Sequence, residues 1–236
     1  MFTTFYKVLL GLILIIIIAY FLQNRANTPE ACANIEGLWD ATEQVCKTPT
    51  EKLIFQSLSK PNPVSIVLPQ IQSENQTSVV LDKVELVDET VYFRGDNNNL
   101  SKATYKREIV YLNMSQLMLL MTNTKGLTYF AAPFIVNNEN NDAYVYAGLF
   151  SYDFNSHQAK HLDSKFLGNH IRETEIELTQ TGQVKFTFKS HGPKQVLSDY
   201  PVQSNEIDLQ LVALDVSNDK QAKFKRLEQM ANDLSK

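Results

Sequence analysis

Short runs of strand-forming residues recur along most of the chain and constrain its fold more than any other feature. Between residues 64 and 214, nine runs are rich in Val, Ile, Tyr, Phe and Thr, and clusters of Asn, Asp and other polar residues separate them. The stretch TEIELTQTGQVKFTFKS alternates apolar and polar residues, which predicts a hairpin with residues 180–182 in its turn. The sequence therefore predicts a mainly β, antiparallel and sandwich-like domain over residues 64–216. The run SQLMLLMT within this domain fits a helix and a strand equally well.

The first 24 residues are the most apolar segment of the chain. No charged side chain occurs from Val8 to Leu22, and the neighbouring Phe2–Tyr6 extends the run to the length of about 20 residues that a bilayer-spanning helix needs. We expect a transmembrane signal anchor with its amino terminus in the cytoplasm, as the position of Lys7 indicates. A cleaved signal peptide is the competing interpretation, but the first small-x-small site, at residues 31–33, lies too far downstream.

The two cysteines of the chain, Cys32 and Cys46, enclose its single tryptophan, Trp39. Two cysteines without a nearby His cannot supply the four ligands of a structural zinc ion. A disulfide across this loop would stabilise the fold by about 3 kcal/mol, and such bonds form in oxidising compartments. We therefore predict a disulfide on the exported side of a membrane, and two unpaired buried thiols are the alternative. Trp39 either packs over the disulfide, sits in the headgroup zone of the membrane, or marks a binding surface.

Besides the signal anchor, two helices are expected outside the β domain. Residues 25–63 form a neck in which Thr48, Pro49 and Glu51 have the spacing of a helix start with a capping box. Residues 217–236 have apolar side chains at helical spacing, which predicts an amphipathic helix that docks on its own domain or binds a partner. The predicted partner-binding residues are Phe224, Leu227, Met230, Ala231 and Leu234, together with Trp39.

No motif in the sequence predicts catalysis, a metal or a cofactor. His157 and His161 precede Asp163 but lack the glutamate of an HExxH site, so we expect surface histidines in a loop. The chain contains no GxSxG motif, P-loop or dinucleotide-binding fingerprint. The clusters DNNN and NNENND lack the alternating carboxylates and the glycine of a calcium loop, and we expect them to form turns.

The distribution of charge limits the class of partner. Residues 1–25 and residues 219–236 each carry +2 within a net charge of −4, so the remainder carries −8. An acidic folded domain disfavours nucleic acid and anionic lipid surfaces as partners.

Three stretches carry a resemblance to a known group of proteins: DAYVYAGLF (142–150), LDSKFLGNHI (162–171) and VKFTFKSHGPKQVLSDYP (184–201). Together they resemble a domain of uncharacterised exported bacterial lipoproteins, in which a Leu-Gly-Asp-x-Ile turn precedes a hairpin strand and a Gly-Pro turn. The matching residues here are Leu167, Gly168, Ile171, Gly192 and Pro193, with Asn169 in place of the acid. The Cys-x4-Gly-x-Trp-x6-Cys spacing is similar to a small cysteine loop that follows the signal segment of exported bacterial proteins. The resemblance implies an exported location and no particular activity. Of the calcium-like loop found in such proteins, only Asp142 is kept.

Two functional classes follow from these features. The first is a single-pass accessory or scaffold protein of the bacterial inner membrane, which binds other envelope proteins through a periplasmic domain and performs no catalysis. The second is a periplasmic enzyme or ligand-binding receptor for an envelope or cell-wall component. A deep pocket lined by His157, His161 and His170 with nearby carboxylates would favour the second class.

Overall fold

The chain divides into two compact units, residues 1–53 and residues 54–236. The computed structural model describes residues 28–40, 44–58, 63–68, 78–87, 90–97, 108–122, 126–140, 142–212 and 222–226. Within these ranges no helix has the length and apolar character that a membrane span requires. The predicted signal anchor at residues 1–24 lies outside the described residues.

The smaller unit is built around a disulfide. Helix α1 (Pro29–Asn34) is followed by a hairpin of β1 (Leu38–Asp40) and β2 (Val45–Lys47). Cys32 of α1 is bonded to Cys46 of β2, so the predicted disulfide is confirmed. A side chain at Gly37 would place its Cβ 2.6 Å from Cys46 Sγ and 2.9 Å from Cys32 Sγ. Only glycine therefore fits where the chain passes the bridge.

Helix α2 (Pro49–Leu58) begins with the predicted capping box. The Thr48 N–H donates to Glu51 Oε2 at 2.6 Å, and the Glu51 N–H donates to Thr48 Oγ1 at 3.3 Å. These bonds satisfy two backbone donors that a helix start leaves unpaired. The last turns of α2 place Ile54 and Leu58 in the core of the larger unit, where they are 0% and 3% exposed. The helix thus contributes to the core of the β domain.

The larger unit contains a seven-stranded antiparallel sheet among its described residues. Its strands are β5 (Lys83–Val87), β6 (Thr90–Asn97), β7 (Glu108–Asn113), β8 (Met118–Thr122), β9 (Leu127–Asn137), β10 (Ala143–Asp153) and β11 (Gln158–Asn169). The spatial order is β11-β10-β9-β7-β6-β5, and β8 also pairs with β9. The ambiguous run SQLMLLMT therefore provides a strand, β8.

Two smaller sheets accompany the seven-stranded sheet. A four-stranded antiparallel sheet has the order β12 (Arg172–Leu178), β13 (Val184–Ser190), β14 (Gln203–Val212) and β15 (Lys223–Arg226). A short hairpin consists of β3 (Ser65–Val67) and β4 (Ser78–Val80). The predicted β12–β13 hairpin is confirmed, with Gly182 at a φ of 75° in its turn.

The central strands β9 and β10 are buried on both faces. Phe130, Phe134 and Phe150 point to a core shared with α2 and the β3–β4 hairpin. Tyr129 and Leu149 point the other way, into a core formed with the four-stranded sheet. Successive side chains of a strand point to opposite faces, so β9 and β10 pack against both cores. The seven-stranded sheet is thus the middle layer, between the four-stranded sheet on one face and α2 with the β3–β4 hairpin on the other. The predicted mainly β, antiparallel class is confirmed.

The predicted C-terminal helix is wrong over Lys223–Arg226, which form β15 against β14. Phe224 is 1% exposed in the second core, so it is not available to a partner. Ala222 is also buried, whereas Lys223 between them is exposed. This alternation of buried and exposed residues is typical of a strand. The Phe224 N–H also donates to Asp163 Oδ2 at 2.8 Å. The other predicted partner-binding residues of this helix lie outside the described residues: Leu227, Met230, Ala231 and Leu234.

Candidate functional site

His161 lies in strand β11, so the expectation of a surface loop at this residue is wrong. Its ring packs against Phe134 and Phe150, with centroids 5.7 and 5.2 Å away. Burial lowers the pKa of His161 to about 4, because desolvation disfavours the charged ring. The imidazole is therefore neutral near pH 7.

His161 and Ser164 form the pair in the described chain that most resembles a catalytic base and nucleophile. His161 Nε2 lies 2.8 Å from Ser164 Oγ. The backbone N–H of Val67 donates to His161 Nδ1 at 3.1 Å, so the proton of the neutral ring is on Nε2. A general base needs an unprotonated nitrogen facing the hydroxyl, and here Nε2–H donates to it. His161 therefore links β11 to Val67 of β3, and its bond to Ser164 does not activate the serine.

His157 and His170 have separate partners. His157 Nδ1 is 3.0 Å from the hydroxyl of the buried Tyr152, which is itself 2.7 Å from Ser57 Oγ. His170 Nε2 is 3.5 Å from Asp142 Oδ1. Across the described residues, no three His, Cys, Asp or Glu side chains are grouped so that they could hold a metal ion.

Asp142 belongs to the predicted turn at NNENND. Asn138 Oδ1 accepts hydrogen bonds from the N–H groups of Asn140 and Asp142, at 2.9 and 3.0 Å. A hydrogen bond from Asn138 Nδ2 is the main cause that lowers the pKa of Asp142, with further bonds from His170 and Tyr144. The carboxylate therefore closes the turn before β10.

The connection between β13 and β14, residues 191–202, exposes several large apolar side chains, and we call it the apolar loop. Four of its large side chains are exposed: Val196 by 60%, Leu197 by 68%, Tyr200 by 57% and Val202 by 70%. Four large apolar side chains exposed within seven residues of sequence differ from the single, scattered apolar residues of an ordinary surface, and exposed apolar patches mark interaction sites.

Hydrogen bonds within the apolar loop fix its backbone. His191 Nε2–H donates to the Asp199 carbonyl at 2.9 Å. The Gln195 N–H donates to the Gly192 carbonyl at 3.0 Å, and the Gln195 side chain bonds Gly192 N–H and the Tyr200 carbonyl. These bonds pair backbone groups within the loop, while its apolar side chains face solvent.

A cluster of three residues, which we call the clasp, attaches the apolar loop to β12. The Tyr200 hydroxyl donates to Glu173 Oε1 at 2.9 Å, and Lys189 Nζ lies 2.6 Å from Glu173 Oε2. The bond from Lys189, followed by that from Tyr200, lowers the pKa of Glu173. The same carboxylate raises the pKa of Lys189 and of Tyr200. Glu173 is therefore ionised at neutral pH and accepts from both partners.

The sequence did not predict the apolar loop as a site. Its Gly192 and Pro193 were identified only as turn residues, and the run VLSDYPV has neither the period of a helix nor that of a strand. The available signal was the density of apolar residues in a turn, where polar residues are usual. Of the predicted partner-binding residues, Phe224 is buried and Trp39 pairs with Cys46 in the β1–β2 hairpin.

Comparison of the chain with protein families, with curated proteins and with solved structures finds no match.

Proposed function

We propose that this chain is a membrane-anchored accessory protein of the bacterial cell envelope, and that its β domain binds another protein through the apolar loop. The observation that carries the proposal is the exposure of Val196, Leu197 and Val202 on a loop whose backbone is hydrogen-bonded within itself. A loop that is already ordered loses little conformational entropy on binding, so more of the energy of apolar burial remains as affinity. Exposed aromatic and aliphatic side chains of this kind are typical of interface centres.

Charge favours a protein over a lipid surface as the occupant of the apolar loop. The loop contains one lysine, Lys194, and one carboxylate, Asp199. Attachment to anionic lipid requires a cluster of basic residues near the inserted side chains. The −8 carried by residues 26–218 opposes such attachment further. The exposed side chains of the apolar loop therefore suit an apolar pocket on another protein better than an anionic lipid surface.

Two features support the location. The apolar run from Val8 to Leu22, with the residues before it, has the length of a bilayer-spanning helix. The disulfide between Cys32 and Cys46 supports an oxidising compartment on the far side of that span. We therefore propose the bacterial inner membrane, with the β domain in the periplasm. The enzymatic alternative has less support, because the Ser164–His161 pair has its proton on the wrong nitrogen for a base.

The test is the mass of the native complex that contains this chain in detergent-solubilised membranes. The double change Val196→Asp and Leu197→Asp places two carboxylates in the proposed interface and should shift the chain to a smaller complex. Leu178→Asp is the matched control, because Leu178 is also exposed, at 42%, but lies at the opposite end of β12 from the clasp. An unchanged mass for the double variant, or the same loss in the control, would contradict the proposal.

A further inference from the structure

Strand β5 (Lys83–Val87) forms one end of the seven-stranded sheet. It pairs with β6 from Lys83 opposite Arg94 to Val87 opposite Thr90. Among the described residues, no strand pairs with its other side. Val84 and Leu86 project from one face and are 57% and 68% exposed. An edge that combines unpaired backbone groups with apolar side chains is a template for another strand.

Proteins usually protect such an edge with charge, and β5 contains Lys83 and Glu85 on its other face. Each of these two side chains already has an oppositely charged partner within the chain. Lys83 Nζ lies 2.6 Å from Asp96 Oδ2, and Arg94 Nη1 lies 2.7 Å from Glu85 Oε2. Arg94 also bonds Asp96 at 3.0 Å, which links the two pairs. The charged face therefore presents a neutral network to an approaching strand and gives little protection.

The order of residues in β5 makes the edge complementary to itself. If two copies pair antiparallel with Val84 opposite Val84 of the second copy, Lys83 of each copy lies opposite Glu85 of the other. On the opposite face, Val84 of each copy lies directly opposite Val84 of the other, and Leu86 of each copy lies diagonally across from that pair. A two-fold axis one residue further along would place Glu85 opposite Glu85, and like charges in that position are destabilising. Charge thus disfavours that neighbouring register.

From this complementarity we infer that β5 is the interface between two copies of this chain, which join their seven-stranded sheets edge to edge about a two-fold axis at Val84. The interface is isologous, because the same strand serves both copies. This inference does not depend on the proposed function, because the apolar loop connects two strands of the four-stranded sheet and β5 is in the seven-stranded sheet.

The two-fold position allows a specific test with the full-length chain in detergent, with mass measured by analytical ultracentrifugation. Val84→Lys places two like charges opposite each other, and so does Val84→Glu. Each variant alone should sediment as one copy, whereas the unmodified chain sediments as two. An equimolar mixture of the two variants should recover the mass of two copies, because only in mixed pairs does the introduced lysine of one copy face the introduced glutamate of the other. Leu178→Lys, which introduces the same charge at an exposed apolar position outside both β5 and the apolar loop, should leave the mass at two copies.

Three results would overturn the inference: a single-copy mass for the unmodified chain at every concentration, two-copy mass for Val84→Lys alone, or a mixture that stays at one copy. Recovery in the mixture also shows that both variants fold. The test is separate from that of the apolar loop, because Val84→Lys should leave binding through Leu197 unchanged.

Discussion

Acid should weaken the larger unit through His161. The ring is buried between Phe134 and Phe150, and its Nδ1 accepts the N–H of Val67, so a second proton would break that bond and charge a buried group. The pKa of His161 is about 4 in the folded chain, against about 6.5 for an unperturbed histidine. Between these values the unfolded chain binds the proton more readily. The free energy of unfolding therefore falls as the pH drops from 6.5 to 4, and the contribution is fully present above 6.5.

The two pKa values set the magnitude of this effect. One pH unit inside the window corresponds to about 1.4 kcal/mol, so moving from pH 7.5 to pH 5 should lower the free energy of unfolding by about 2 kcal/mol through His161 alone. Urea unfolding followed by circular dichroism at the two pH values measures it. Groups such as Glu173 also titrate in acid. The contribution of His161 is therefore the change in the free energy of unfolding between the two pH values in the parent, minus the same change in His161→Gln. We expect this difference to be about 2 kcal/mol.

Ser164→Ala is the matched control for His161→Gln. It removes the hydroxyl that accepts from Nε2 and leaves the bond between Val67 and Nδ1 in place. This variant should retain most of the acid sensitivity. Equal pH dependence in the parent and in His161→Gln would refute the buried, neutral histidine and reopen the question of its role as a base.

Three further predictions concern the core, the smaller unit and the clasp. Phe224→Ala should lower the free energy of unfolding by about 3–5 kcal/mol, because the ring is fully buried, whereas Lys223→Ala on the outer face should change it little; urea unfolding measures both. Replacing Cys32 and Cys46 by Ser should destabilise the smaller unit by about 3 kcal/mol and leave the melting of the larger unit unchanged in calorimetry. Tyr200→Phe removes the bond to the clasp carboxylate and should speed amide hydrogen exchange in residues 192–202 about twofold or more without lowering the melting temperature.

Each of these predictions has a contrary outcome. Equal losses for Phe224→Ala and Lys223→Ala would show that β15 does not bury its ring. Melting of the larger unit at a lower temperature in the cysteine variant would mean that the disulfide supports its core. Unchanged exchange in Tyr200→Phe would mean that the internal hydrogen bonds alone fix the apolar loop.

The parts of the fold that the sequence predicted depend on local chemistry. The β12–β13 hairpin alternates apolar and polar residues, and the start of α2 has Thr48 and Glu51 at the spacing of a capping box. Such patterns involve residues within one element, so they can be read from the chain alone.

The parts that the sequence missed depend on tertiary pairing. Strand β11 has a polar sequence without clear alternation, and its pairing with β10 from Tyr144–Asn169 to Asp153–Gln158 makes it a strand. Near the end of the chain, the position of Phe224 fits both the apolar face of a helix and a strand. Pairing with β14 makes the segment a strand. The side chains of the apolar loop are exposed because this segment connects β13 to β14 at the surface. The spacing of apolar residues in the sequence does not reveal that exposure.

The most direct test of the account is site-specific photo-crosslinking in living cells. A photoreactive residue at position 197, at the centre of the apolar loop, should form one protein adduct of defined mass on irradiation. The same residue at position 178 should form none, and adding Val196→Asp to the position-197 probe should abolish the adduct. Adducts with lipid only, the same adduct from both positions, or no adduct at position 197 would contradict the claim that the apolar loop binds a protein.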